Sequence, residues 1–336
     1  MNTKHVMIVF GGESSEHEVS IVSARNIYQA INKQKYQISL AFIDKSGQWW
    51  SIDNLDDYAA PSIRLSISPG VPIFSTDDGH EIKPDVLFPV LHGRNGEDGS
   101  VQGLAQLIHL PIVGCDMTSS VLTMDKIAAK EILDQHGFDV LPFVSHRSGT
   151  DLPDYRSVSH KLGSILFVKP SRAGSSVGVS MVKNETEYRI AVDEAHKHDE
   201  FIIIEQAANK PRELEVAVLG TPPNHRASVV GEIKPEGTFY SYDSKYSADS
   251  TSAVIVPANI ATDLAENIRQ QALDAYSVLK CRAMARVDFL YDENGLYINE
   301  INTIPGFTNI SMYPKLWNHS GLTYDSLIDR LVELAE

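Results

Sequence analysis

Apolar residues near the start of the chain form a short continuous run, and then recur at helical spacing. The run VMIVF and its neighbours predict a buried strand over residues 4–10. The spacing of apolar residues over 19–31 predicts a helix, and Ser15 with Glu18 forms a capping-box pattern at its start. Further segments predict strands at 37–43, 85–90 and 111–114 and a helix at 100–110. This alternation predicts an N-terminal α/β domain with an open parallel sheet.

The pattern changes after a predicted helix at 123–136. A smaller α+β block follows, with predicted strands at 166–169, 179–182 and 201–206 and a helix at 185–198. From about residue 213, alternating segments such as 213–220 and 285–291 predict a largely antiparallel domain. The irregular stretch 231–252, rich in Gly, Ser, Tyr and Asp, is typical of a lid. We therefore predict three domains, with bounds 1–121, 122–212 and 213–336.

Composition and charge limit the classes of partner. The 336 residues include 43% hydrophobic and 22% charged residues, as in ordinary globular proteins. A formal net charge of -15 argues against a nucleic-acid or membrane-surface partner. The two cysteines, Cys115 and Cys281, match no metal or redox spacing, so we expect buried free thiols. The apolar run near the N-terminus is too short for a signal peptide or a membrane span, so we expect a cytoplasmic protein.

A lysine at a strand end precedes a loop of small residues. In KPSRAGSSVG, Lys169 is followed by glycine and serine, whose backbone N–H groups can point at phosphate oxygens. The order is not that of a Walker A motif, and a plain flexible hairpin is the alternative interpretation. Lys126, on the predicted helix 123–136, supplies a second positive charge for a phosphate or is simply a solvated lysine.

Two acidic residues and an asparagine lie on neighbouring predicted strands. The turn DENG, with residues 293–295 as a three-residue loop and Gly295 left-handed, places Asp288 opposite Glu300. Asn302 then shares their sheet face. Oxygen ligands of this kind suit Mg²⁺. The alternative is a solvated polar face, which the flanking apolar residues disfavour.

The remaining polar groups predict a function only when they are taken together. The opening turn FGGESSEHEVS follows a strand as a phosphate loop would, yet it carries three glutamates, which would repel phosphate. Glu205 ends a predicted strand and Glu213 begins another, where each can accept hydrogen bonds from adenine or ribose or is simply a surface carboxylate. A phosphate loop, an Mg²⁺ hairpin and an acidic turn together predict ATP-dependent chemistry on a cationic or zwitterionic small molecule.

Seven blocks, in order, resemble the D-alanine–D-alanine ligases, which are members of the ATP-grasp family. The blocks are FGGESSEHEVS, LHGRNGEDGSVQG, MDKIAAKEIL, FVKPSRAGSSVGVS, SKYSAD, ARVDFLY and NEINTIPGFTNISMYP. The resemblance covers nearly the whole chain. It implies a three-domain ATP-grasp fold in which ATP is held between the central and C-terminal domains.

The resemblance also implies a role for each matching residue. For ATP it implies phosphate contacts from Lys126, Lys169 and Lys245, a closing loop of Ser175, Ser176 and Val177, and an adenine and ribose site of Glu205, Gln206, Ala207, Ala208 and Glu213. For the metal it implies two Mg²⁺ ions, with Mn²⁺ able to substitute, held by Asp288, Glu300 and Asn302. For the two D-alanines it implies Glu16 at the first ammonium with His92 nearby, Arg286 and the Gly306 N–H at the oxyanion, Ser311 at the second carboxylate, and Tyr246 bonded to Ser175 and Glu16.

The implied reaction joins two D-alanines through an acyl phosphate, for peptidoglycan precursor synthesis, in an enzyme expected to be a homodimer. Ile304 and the pair Asn309-Ile310 depart from the common form of their block and flank the second-substrate pocket. Two alternatives stay open at this point. One is a related ligase that takes D-lactate or D-serine as its second substrate, and the other is a non-catalytic nucleotide-binding regulator.

Overall fold

A computed structural model describes residues 3–234 and 253–335 of the chain. The N-terminal part carries a seven-stranded sheet in the order β6-β5-β4-β3-β2-β1-β7. Its strands are β1 Lys4–Gly11, β2 Tyr36–Ile43, β3 Trp49–Ile52, β4 Ile63–Ile67, β5 Phe74–Thr76, β6 Glu81–Ile82 and β7 Val86–Pro89. Its helices are α1 His17–Ala30, α2 Ser100–Leu107 and α3 Met117–Met124, with a short 3₁₀ turn at Leu55–Ala59.

The prediction of a parallel sheet is confirmed for β2, β1 and β7, which pair in parallel. The other four strands add an antiparallel extension that the sequence analysis did not predict. The strand predicted at 111–114 is wrong, since only an isolated bridge joins Ile112 to Leu87. The predicted capping box is also wrong, because α1 begins at His17 with Glu16 at its N-cap and without a side-chain cap. Glu18 instead pairs with Lys45 at 3.1 Å.

The central part is a four-stranded antiparallel sheet, β10-β9-β11-β8. Its elements are α4 Lys126–Gln135, β8 Phe143–Arg147, α5 Tyr155–Leu162, β9 Leu166–Pro170, β10 Ser180–Val182, α6 Glu185–Ala195 and β11 Phe201–Gln206. The helix predicted at 123–136 starts later, because Asp125 stands between α3 and α4. Its carboxylate accepts hydrogen bonds from Ile127 N and Ala128 N, which caps α4.

The C-terminal part is a five-stranded antiparallel sheet, β14-β13-β12-β15-β16, as predicted. Its elements are β12 Arg212–Thr221, β13 Asn224–Lys234, β14 Ala253–Ile255, α7 Thr262–Val278, β15 Met284–Asp292, β16 Gly295–Asn302, α8 Met312–His319 and α9 Tyr324–Glu333. The predicted lid lies mostly outside the described residues.

One apolar core ties the two ends of the chain together. It contains Phe10 of β1 and Ile27 of α1 beside Trp317 of α8 and Leu331 of α9. Burying apolar area of this kind is the main favourable term in folding. The first and last elements therefore form one packed unit, which fixes the N-terminal loops against the C-terminal sheet. The three-domain division itself stays a prediction.

A second core lies under the C-terminal sheet and includes both cysteines. Cys115 and Cys281 are free thiols and are buried, as expected. In the described parts of the chain, no helix has both the length and the apolar composition needed to cross a bilayer.

The glycine pair after β1 generates a prediction about stability. Gly11 has a φ of +93°, and a Cβ added there would stand 2.1 Å from the carbonyl oxygen of Ile43. Gly12 has a similar φ, but an added Cβ would lie only 3.4 Å from a Leu91 methyl group. We expect Gly11→Ala to lower the free energy of unfolding by about 3 kcal/mol, and Gly12→Ala by about 1 kcal/mol.

Thermal melts of both variants beside the native protein measure this difference. Equal losses at the two positions would contradict the clash with Ile43 as its cause.

Candidate active site

One large cavity, about 1230 Å³ in volume, brings the predicted site residues together. Pockets for a drug-sized ligand usually measure about 300–1,000 Å³, so this one has room for more than one substrate. The described site residues that line it are Glu16, His92, Lys126, Lys169, Ser175, Ser176, Glu205, Gln206, Ala207, Ala208, Glu213, Arg286, Asp288, Glu300, Asn302, Gly306 and Ser311. Val177 is not among its lining residues, and Lys245 and Tyr246 lie outside the described residues.

Glu16 lies buried at one end of the cavity. Ser14 positions it: the Ser14 hydroxyl accepts the Glu16 N–H at 3.2 Å and donates to the carbonyl of His92 at 2.6 Å. A Cβ on Gly174 of the phosphate loop would stand 3.2 Å from Glu16 Oε2, so the loop passes close to this carboxylate. The other two glutamates of the turn, Glu13 and Glu18, are exposed. Glu16 is therefore the glutamate of this turn that can contact a ligand in the cavity.

His92 links the N-terminal loop to the C-terminal part. Its ring is buried, with Nδ1 at 3.0 Å from the carbonyl of Ile304 and Nε2 at 3.3 Å from the hydroxyl of Ser23. Burial lowers the pKa of His92, which favours a neutral ring that donates from Nδ1 and accepts at Nε2. His92 thus fixes the segment that carries Gly306 and Ser311. There the Ser311 hydroxyl accepts the N–H of Thr308 at 3.0 Å, just before α8.

The loop after β9 has the backbone form of an anion cradle. Ser175 and Ser176 have φ values of +49° and +60°, a region that residues other than glycine seldom occupy. They are the central residues of a turn, which the Val177 N–H closes by donating to the Gly174 carbonyl at 3.1 Å. Successive N–H groups in a turn can form a concave site for an anion. Arg172 anchors the start of this loop to Asp199, through its backbone N–H at 2.8 Å and its guanidinium. Strain held in place this way is typical of ligand-binding loops.

Lys126 and Lys169 line the phosphate side of the cavity, and Lys130 is buried next to them. The ammonium of Lys126 donates to the Ala173 carbonyl at 2.8 Å and lies 3.7 Å from Glu300. Lys169 Nζ lies 2.5 Å from Glu205 Oε2, and Lys130 Nζ lies 2.7 Å from Glu205 Oε1. The Glu205 carboxylate is thus enclosed between two lysines. Hydrogen bonding to an adenine amino group at this point would fall to the backbone that follows Glu205, where Gln206, Ala207 and Ala208 line the cavity.

The hairpin β15–β16 confirms the predicted pairing of Asp288 with Glu300, although the turn differs from the prediction. Asp292 pairs with Gly295, so the loop has two residues, and Gly295 is not left-handed as predicted. A bulge at Asn299 adds the residue that the shorter loop lacks. The register from Asp288 onward is therefore the predicted one. Asn302 pairs with Arg286 on the same face.

The oxygen atoms on this face fit a hard divalent cation. Asn302 Oδ1 is buried and has no hydrogen-bond partner among the described residues. Asp288 is held by Arg286, with Nε and Nη2 at 2.7 and 2.6 Å from its two oxygens. A buried amide oxygen beside two carboxylates is the donor set that Mg²⁺ prefers. Within the described residues, no group of three or more His, Cys, Asp or Glu could hold a metal ion, and the predicted set instead combines two carboxylates with an amide.

The structure adds three charged residues that the sequence analysis missed. Glu215 of β12 pairs with Asp288 of β15 and lies 3.0 Å from Arg286 Nε, so Arg286 stands between two carboxylates. The charges of Asp288 and Glu215 outweigh the effect of burial and raise the pKa of Arg286.

The other two missed residues are Lys130 and Glu97. Lys130 is the buried partner of Glu205. Glu97 is buried beside Glu16 and accepts the Gly93 N–H at 2.7 Å. Alternation along β12 could have indicated Glu215, since it shares a face with Glu213.

Glu97 generates a prediction about pH. Burial, and then the charge of Glu16, raises its pKa from an ordinary value of 4.5 to about 8. Between these values the folded protein keeps a proton that the unfolded chain releases. The free energy of unfolding therefore falls as the pH rises through this window. Glu97→Gln has a neutral side chain at every pH. We therefore expect the difference between its melting temperature and that of the native protein to increase steadily in favour of the variant from pH 5 to pH 8.

Thermal melts without nucleotide, at several pH values, measure this gain. Glu13→Gln is the matched control, because it makes the same change at an exposed position of the neighbouring loop. A gain for Glu97→Gln that is the same at every pH would show that Glu97 does not hold the proton.

Comparisons with known proteins match the chain over nearly all of its length. Two family models match: "D-ala D-ala ligase N-terminus" over residues 5–115 and "D-ala D-ala ligase C-terminus" over residues 132–333. D-alanine–D-alanine ligase A of Escherichia coli K12 is 47% identical over 352 residues, covering 100% of this chain and 96% of that protein.

Solved structures agree. The D-alanine-D-alanine ligase from Coxiella burnetii has a TM-score of 0.88 and 36% identity, covering 99% of this chain and 94% of that one. The VanG D-Ala:D-Ser ligase from Enterococcus faecalis has the same TM-score and 34% identity, covering 99% of both chains. The predicted family and the ATP-grasp fold are confirmed. The chain belongs to the D-alanine–D-alanine ligase family of ATP-grasp enzymes.

Proposed function

We propose that this protein joins two D-alanine molecules into D-alanyl-D-alanine, converting ATP to ADP and phosphate, to supply peptidoglycan synthesis. One observation carries the proposal beyond family membership. A single cavity holds an acidic end at Glu16, a strained phosphate loop flanked by lysines, and a carboxylate hairpin. A reaction that activates a carboxylate with ATP and then adds an amine needs all three in one enclosed place.

The first D-alanine lies at the acidic end. Its ammonium meets the buried Glu16 carboxylate, which explains why a loop shaped like a phosphate cradle carries acidic residues. Its carboxylate points along the cavity toward the phosphate loop. There Gly174 leaves room for the two sites to approach each other closely. Charge-assisted hydrogen bonds of this kind are stronger than neutral ones and fix orientation.

ATP lies between the central and C-terminal sheets. Its adenine fits the segment Gln206–Ala208, and its ribose hydroxyls meet Glu213. Lys126, Lys169 and the N–H groups of the loop Ser175–Val177 contact its phosphates. Lys245 and Tyr246, which lie outside the described residues, complete the closed site according to the family resemblance. A closed lid keeps water away from a reactive acyl phosphate.

Asp288, Glu300 and Asn302 would hold two Mg²⁺ ions, for which Mn²⁺ would be able to substitute. When bound, these ions spread the negative charge that develops during phosphoryl transfer. The carboxylates are already beside protein cations, since Arg286 contacts Asp288 and Lys126 lies near Glu300. Glu215 gives Arg286 a second anionic partner, so Arg286 has an anchor in the site besides Asp288.

The reaction proceeds in two steps. The carboxylate of the first D-alanine attacks the γ-phosphorus, and the bond to the bridging oxygen breaks to release ADP. The amine of the second D-alanine, after losing a proton, attacks the carbonyl carbon of the acyl phosphate, and phosphate leaves. Arg286 and the N–H of Gly306 stabilise the oxyanion that forms in this second step, while Ser311 holds the second carboxylate.

We expect purified protein with ATP, Mg²⁺ and D-alanine to release phosphate and form D-alanyl-D-alanine. Coupled ADP release and mass spectrometry of the product measure both. The VanG neighbour and the departures at Ile304 and Asn309-Ile310 make the second substrate the point to test. Mixtures of D-alanine with D-serine or D-lactate, run across pH, are the comparison. No phosphate release with any of these acceptors would overturn the ligase assignment.

We expect Glu300→Gln to abolish turnover, because an amide cannot replace a carboxylate in neutralising the metal ions. Glu293→Gln, at the exposed tip of the same hairpin, is the matched control and should keep native activity. Melting temperatures of both variants should stay near the native value. Turnover by Glu300→Gln within tenfold of the native rate would remove Glu300 from the metal site.

A homodimer and a cytoplasmic location complete the proposal. The family resemblance implies the homodimer, and the cytoplasmic location is the expectation of the sequence analysis. The exposed apolar residues Leu107, Met117 and Val121 of the N-terminal part agree with a covered surface.

A further inference from the structure

A buried cluster of three charges lies at the wall of the cavity. Glu205 has a side chain that is 1% exposed, and each of its oxygens faces a different lysine. Lys130 of α4, which is 2% exposed, contacts Oε1, and Lys169 of β9 contacts Oε2. Two cations and one anion leave the cluster with a formal charge of +1.

Lys130 does not itself reach the ligand space. Lys169 and Glu205 line the cavity, whereas Lys130 is not among its lining residues. Lys130 lies one turn after Lys126 on α4, so both ammonium groups leave the same helix face. The Lys126 ammonium bonds the Ala173 carbonyl of the phosphate loop, and the Lys130 ammonium contacts the Glu205 carboxylate. Helix α4 therefore contacts the phosphate site directly through Lys126, and indirectly through the pair of Lys130 and Glu205.

The neighbours of Lys130 make its charge costly. Ala129 and Leu133 of the same helix are buried in an apolar core. Removing an ammonium from water is expensive, and a protein in which apolar side chains replace a whole buried ion pair is often as stable or more stable. A buried lysine here therefore calls for a reason other than stability.

We propose that Lys130 is a positioning residue for nucleotide binding, which neutralises Glu205 so that the charge of Lys169 stays available to phosphate. If Lys169 were the only cation beside Glu205, the two would form a neutral pair that a phosphate would have to break. With Lys130 present, Glu205 remains compensated when Lys169 turns toward the nucleotide. The inference rests on the proposed function, because it takes the anion at Lys169 to be ATP.

The protonation of the cluster agrees with this arrangement. Burial alone would favour the neutral acid, but Lys130 and then Lys169 lower the pKa of Glu205 to about 2. Glu205 in turn outweighs burial and raises the pKa of Lys169. Burial lowers the pKa of Lys130, against the charge of Glu205. The central carboxylate is thus ionised, and its charge holds Lys169 in the cationic form.

The test compares Lys130→Met, Lys130→Arg and the double variant Lys130→Met with Glu205→Gln. Binding of a non-hydrolysable ATP analogue with Mg²⁺ is measured by calorimetry, beside the KM values for ATP and for D-alanine. We expect Lys130→Met to weaken analogue binding at least about tenfold, the worth of one charge-assisted hydrogen bond, with KM for D-alanine unchanged. Lys130→Arg should bind within about threefold of the native protein, because it keeps the charge.

The double variant separates positioning from a structural role. Removing the Glu205 charge as well should restore analogue binding to within about threefold of native, because Lys169 is then free of its anion. This variant also keeps the test decisive if Lys130→Met does not fold, since it removes the buried pair of Lys130 and Glu205 together. A double variant that binds tenfold more weakly than the native protein would overturn the inference.

Arg269→Met is the matched control. Arg269 is a partly buried cation of α7 that bonds the Ser228 carbonyl and Glu266 outside the cavity. It should lose stability but not analogue binding. If Lys130→Met also loses only stability, Lys130 is structural and the inference fails. If the native protein binds the analogue but ligates none of the substrates, the proposed function fails while the comparison of binding among variants still decides the inference.

Discussion

The site depends on alternating buried charges. Glu205 lies between Lys130 and Lys169, and Arg286 lies between Glu215 and Asp288. A buried charge without a partner is strongly destabilising, whereas a chain of opposite charges can be held in a dry cavity. Each group in such a chain has a fixed position before any ligand arrives. Preorganised charge of this kind is what stabilises a transition state, because it needs no rearrangement when the reaction begins.

The relative positions of the site residues are fixed because the two ends of the chain pack into one core. Helix α1 holds the segment after β16 by two hydrogen bonds at Phe307, where Ser23 Oγ accepts its N–H and Asn26 donates to its carbonyl. Tyr324 of α9 donates to the same carbonyl. His92 adds its bond to Ile304. The N-terminal part and the second-substrate segment are therefore bonded directly to each other. A site assembled from distant parts of a sequence gains its precision from such packing.

Much of this could be predicted from sequence, because hydrophobic periodicity and local motifs act over short distances. The strands β1, β2, β9 and β11 and the pairing of Asp288 with Glu300 were of this kind. The turn was wrong because a two-residue loop with a bulge and a three-residue loop give the same register. Lys130 was missed because a lysine on a helix normally faces water, and its burial depends on Glu205, which is 75 positions away in the chain.

The net charge of -15 shows why bulk electrostatics says little about a site. Exposed charges more than about 8 Å apart are largely screened at physiological salt. The cations that matter here, Lys126 and Lys169, are each only 14% exposed and lie inside the cavity, where screening is weak. An acidic protein can therefore hold a strongly anionic nucleotide in one part of a cavity. In the same cavity, the buried Glu16 offers a carboxylate to the ammonium proposed above, because Coulomb energy falls with distance and each charge interacts most strongly with the group in contact with it.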